Sequence, residues 1–84
     1  MLSSKRQLIE ATDLTVAEVR AAMGRGSYPD TNNEIKFASF EGMSPSGNFV
    51  YRIGFKGETG RNESGNVYLK FVQTNNRFVL EATN

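Results

Sequence analysis

The sequence predicts an α+β fold, an N-terminal helical segment packed on one face of a four-stranded antiparallel meander sheet. Three observations carry this prediction. A capping box marks a helix start at Thr15, the apolar spacing changes from helical to alternating after residue 34, and short turn-forming stretches separate the alternating runs.

The helical segment spans residues 4–24. Thr15-Val16-Ala17-Glu18 matches the capping box, in which the Thr hydroxyl and the Glu carboxylate each satisfy a free backbone N–H. Leu14 before the cap and Val19 at the fourth helical position match the hydrophobic staple, so two independent signals agree. Gly24 or Gly26 supplies the stop. Upstream, Ser4-Lys5-Arg6-Gln7 is a second box that starts a helix over about residues 5–12. The segment is therefore either two short helices turning at Thr12-Asp13-Leu14, which the second box favours, or one helix bent there. Residues 25–33 are rich in turn formers and read as a linker to the sheet.

Alternation then predicts strands near 34–41, 48–57, 65–74 and 77–83. Asn75-Asn76 suits a two-residue hairpin, because Asn tolerates the positive φ of a type I′ turn. Ser44-Pro45-Ser46-Gly47 and a long flexible loop over Gly57–Gly65 make the other turns. Such short connections force neighbouring strands antiparallel. The predicted core face carries Ile35, Phe37, Phe49, Tyr51, Ile53, Phe55, Val67, Leu69, Phe71, Phe78 and Leu80. Leu8, Leu14, Val19, Ala22 and Met23 of the helical segment cover it.

Length and composition bound the function. Eighty-four residues give one domain with one core, burying only about 60–65% of the unfolded chain's surface. There is no histidine and no cysteine, which removes imidazole bases, thiol nucleophiles, disulfides and the usual zinc sites. The carboxylates are scattered, with no pair placed together by spacing, and no cofactor is implied. Ten basic against nine acidic residues leave a net charge of +1, so neither an acidic nucleic-acid mimic nor a polybasic tail is present. No stretch is apolar enough for a signal peptide or a membrane span, and a cytoplasmic protein without membrane partners is expected.

Two motif-like segments carry little chemistry. Gly57-Glu58-Thr59-Gly60-Arg61-Asn62-Glu63-Ser64-Gly65 lacks the Gly-Lys-Ser/Thr ending of a phosphate loop and leads into a strand. Asn62-Glu63-Ser64 fits a glycosylation acceptor only formally, since no secretion signal accompanies it.

Residues 8–23 place apolar Leu8, Leu14 and Val19 around a Thr12-Asp13-Leu14 turn, and this resembles the helix-turn-helix of bacterial regulators. The resemblance covers 16 residues of the 84. Ile9 stands where that motif has a small residue, and Asp13 where it has a turn glycine. It implies major-groove reading by Thr15, Glu18 and Arg20, a thin set.

Strand parity holds a second signal. The face opposite the helices is predicted to carry Lys36, Arg52, Lys56, Lys70 and Arg77, interleaved with Phe40, Val50, Tyr68, Val72 and Val79. One acid, Glu81, stands among these five cations. The bland reading is a solvated face whose long stems cover apolar neighbours. The functional reading is a non-catalytic binding module contacting its partner through Lys36, Arg52, Lys56, Tyr68, Lys70 and Arg77. The partner expected first is another protein, as adaptor or inhibitor target, or a second copy of the chain. The alternative is single-stranded nucleic acid, with phosphates on the cations and bases on the rings.

Overall fold

The computed structural model describes residues 10–26, 35–57 and 59–83. Among them lie one complete helix, α1 (Val16–Arg25), and four strands, β1 (Ile35–Met43), β2 (Phe49–Lys56), β3 (Asn62–Thr74) and β4 (Arg77–Thr83). The strands form one antiparallel sheet in the order β1-β2-β3-β4, the predicted meander.

The capping box forms as predicted. The Glu18 N–H donates to Thr15 Oγ1 at 3.2 Å, and the Thr15 N–H donates to Glu18 Oε1 at 2.9 Å. These bonds hold the Glu18 carboxyl below its usual range, the backbone bond from Thr15 contributing most and its side chain next. Gly24 stays inside the helix, and Gly26 is the C-cap, donating its N–H to the Ala22 and Met23 carbonyls. Upstream, Glu10 and Ala11 are helical whereas residues 12–15 are not, so the chain turns where Thr12-Asp13-Leu14 predicts. The rest of the first predicted helix, with Leu8, and most of the predicted linker lie outside the described residues.

β3 begins three residues earlier than alternation predicts. Asn62, Glu63, Ser64 and Gly65 pair with Lys56, Phe55, Gly54 and Ile53. These four carry no apolar signal, and their pairing with β2 places them in the sheet. The long loop expected over Gly57–Gly65 contracts to a turn in which the Gly57 N–H donates to the Arg61 carbonyl at 2.8 Å and the Gly60 N–H to the Gly57 carbonyl at 2.9 Å. At the other hairpin, Asn75 and Asn76 take the predicted positive φ of 51° and 63°.

One placement is overturned. Ile35 pairs with Phe55 but Phe37 pairs with Gly54, leaving Lys36 as an extra, unpaired residue in a β-bulge. Side chains alternate with period two, so one inserted residue exchanges the faces of everything beyond it. Phe37 therefore leaves the predicted core face and is 46% exposed, while Ala38 and Phe40 turn inward against Ile53 and Tyr51. A second bulge at Glu41, between Phe40 and Gly42, restores the pairing of Met43 with Phe49.

The core joins Val19, Ala22 and Met23 of α1 and Ala11 to Phe49, Tyr51, Ile53, Val67, Leu69, Leu80 and Ala82 of the sheet. Leu69 has no exposed surface, and truncating such a side chain to Ala costs about 2–5 kcal/mol. Tyr51 is both core and clasp. It is 1% exposed, its ring lies 5.5 Å from that of Phe40, and its hydroxyl reaches the turn before α1. There it donates to the Ala11 carbonyl at 2.5 Å and accepts from the Leu14 N–H at 3.0 Å. Ala11 ends the upstream helical turn, where the last carbonyls lack an intrahelical partner, and Leu14 lies in the non-helical break that follows.

α1 packs against β4 and β1, the two edge strands. The helix C-terminus is fastened to the β4 edge. Arg25 Nε donates to the Leu80 carbonyl at 2.6 Å, and Gly26 lies so close to Ala82 that a Cβ there would collide with the Ala82 carbonyl oxygen. This covers part of an edge whose backbone groups would otherwise face a pairing partner.

Candidate binding face of the sheet

Residues paired across antiparallel strands share a face, so the register assigns the surface opposite α1 row by row. From one end the rows are Lys56 with Asn62, then Phe37 with Gly54 and Ser64, then Ser39 with Arg52 and Asn66. Next come Gly42 with Val50, Tyr68 and Thr83, then Lys70 with Glu81, Val72 with Val79, and Thr74 with Arg77. No described element packs on this face.

The rows alternate in chemistry. Lys56, Arg52, Lys70 and Arg77 occupy every second row, and all four are exposed. Phe37, the Val50–Tyr68 pair and the Val72–Val79 pair occupy the rows between. Same-face residues in a strand recur every ~6.7 Å, so successive cations stand about 13 Å apart along the strand direction. β2 and β3 are the two central strands, and they carry the full length of these rows.

Five of the six predicted contact residues are brought together: Arg52, Lys56, Lys70 and Arg77 share the face with half-buried Tyr68. The sixth, Lys36, is exposed but sits in the bulge with no register partner. Phe40, predicted on this face, belongs to the core side, and Phe37 takes its place as the exposed ring. Sequence spacing misses Phe37 because a bulge leaves no mark on it. The one available signal is Gly54 in the opposing strand, where a Cβ would collide with the Phe37 ring. The glycine lets that ring lie against the sheet.

Two local contacts shape the charges. The Arg52 guanidinium donates to Ser64 Oγ at 3.2 Å, a contact to the neighbouring row. Glu81 stands directly across from Lys70, so that row is the least positive of the four. Phe37, Arg52 and Tyr68 fall on one diagonal across β1, β2 and β3, each step about 8 Å.

Elsewhere the candidates are weaker. Of the residues implied by the helix-turn-helix resemblance, Thr15 and Glu18 are bonded to each other in the cap, and α1 packs on a sheet. A groove of about 440 Å³ between α1 and the β3–β4 hairpin is lined by Leu14, Ala21, Phe71 and Phe78, with Glu18 and Arg25 already bonded at its rim. Among the described residues no cluster of acidic side chains is placed to hold a metal ion, and no helix is long and apolar enough to cross a membrane. Comparison with protein-family models, curated proteins and solved structures gives no match.

Proposed function

We propose that this protein is a non-catalytic binding module that engages another protein through the outer face of its sheet. The observation that carries this reading is the alternation of basic and apolar rows on a face that no described element covers. A solvated face has no need of such order, and exposed Phe37 with the half-buried Val50–Tyr68 and Val72–Val79 rows beside cations is the composition of a contact surface. Support for a non-catalytic role comes from the missing His and Cys, and from the described charged residues, none of which is buried.

A second reading, single-stranded nucleic acid, draws on the Phe37–Arg52–Tyr68 diagonal, two rings flanking a guanidinium. The test is retention of native partners by the immobilised chain. Arg52→Glu with Lys70→Glu, and separately Val50→Asp, should lose proteins that the wild type and Arg20→Glu retain. An identical retained set for all four proteins refutes the reading. Retained material that is nucleic acid, released steeply by salt, selects the second.

A further inference from the structure

The geometry of this face specifies its partner more closely, and the inference rests on the binding reading above. We infer that the partner is an acidic, extended protein segment lying lengthwise along the strands of this face. It sets carboxylates against the basic rows and apolar side chains against the Val50–Tyr68 and Val72–Val79 rows.

The sign of charge is the first argument. Four exposed cations against one acid attract carboxylates, and the same sign disfavours a second copy docking face to face. Spacing is the second. Same-side residues of an extended segment recur every ~6.7 Å and stay in step with rows of the same period. A helix repeats every ~5.4 Å and falls half a turn out of step within two rows. Against nucleic acid, the Val72–Val79 row has no ring to stack on a base, and Glu81 would face phosphates beside Lys70.

The probe is a thirteen-residue peptide with Glu at every fourth position from the first, Val midway between, and Ser elsewhere. Extended, it spans about 40 Å, the length of seven rows. The comparison peptide has the same composition with its Glu residues contiguous, and a uridine oligonucleotide of matching length is the third ligand. Affinities are read by titration calorimetry, with folding checked by circular dichroism.

The alternating peptide should bind the wild type at least about tenfold tighter than the contiguous one, and Arg52→Glu with Lys70→Glu should lose about tenfold or more. Arg20→Glu makes the same change of charge per site on the helix and should change affinity less than about threefold. If the double variant does not fold, the two peptides on the wild type decide alone. Equal binding of the two peptides overturns the inference. Oligonucleotide binding that depends on Arg52 and Lys70, without peptide binding, overturns it while leaving the face as the binding site. Self-association abolished by Val50→Asp, again without peptide binding, does the same. No binding of any probe, with a monomer in sedimentation, overturns both this inference and the reading on which it rests.

Discussion

Removing a single oxygen, by Tyr51→Phe, tests the account of how sheet and helix are joined. The substitution keeps the ring and its packing on Phe40, and deletes only the hydroxyl that bonds the Ala11 carbonyl and the Leu14 N–H. The Ala11 bond is buried, so its carbonyl loses a partner that water does not readily replace, at a cost of about 1–3 kcal/mol. Leu14 is only partly buried, and water can recover part of its bond, leaving a loss of about 0.5–1 kcal/mol. The sum is about 2.5 kcal/mol. A chain of 84 residues has a total stability of about 4–13 kcal/mol, so the change should be large. Urea unfolding should show the midpoint falling by about 1.5 M at constant m, and the Tm should fall by about 10–20 °C. A change below about 0.5 kcal/mol would refute the clasp. The same residue predicts an alkaline limb. Burial raises the Tyr51 pKa above its ordinary value near 10, Asp13 and Glu18 push it the same way, and the Leu14 N–H opposes them. A raised folded pKa means this contribution is complete below pH ~10 and is lost as pH rises through the folded value. The wild-type stability should therefore decline in that range by more than that of Tyr51→Phe.

Two other perturbations follow from local geometry. Gly24→Ala and Gly26→Ala, two residues apart, should have opposite signs. A Cβ at Gly24 meets nothing within 4 Å and adds helix propensity of about 0.5–1 kcal/mol, whereas one at Gly26 strikes the Ala82 carbonyl and forces α1 from β4. Thermal melts of both variants check this, and equal shifts would show that the close approach is absent. For the cap, Thr15→Ala should cost about 1 kcal/mol at neutral pH by urea unfolding. Because the Glu18 carboxyl is held below its usual range, its contribution is present above the unfolded pKa near 4.3 and lost as pH falls through the folded value. The stability difference between wild type and Glu18→Gln should therefore shrink on acidification, and a difference that holds constant to pH ~2 contradicts the capping bonds.

Local signals in this chain were reliable wherever one residue's chemistry sets its own backbone. Thr15 and Glu18 close the predicted cap, Asn75 and Asn76 take the predicted turn, and alternation marks all four strands. Cross-strand events were not legible. The bulge at Lys36 depends on how β1 docks on β2, and it moved Phe37 outward and Phe40 inward without a trace in their spacing. Asn62 to Gly65 have no apolar pattern, yet pairing with β2 extends β3 through them.

The sequence by itself determined the α+β class, the helix start, the meander, the absence of His and Cys, and four of the cations on the outer face. Only the tertiary structure decided the order of that face. Arg52 and Lys70 lie on different strands, and the register that places them two rows apart is fixed by turn geometry and core packing together. The role of Tyr51 was likewise decided there. Its ring announces a core residue, but the backbone groups its hydroxyl satisfies lie 37 and 40 positions away, beyond the reach of any local pattern.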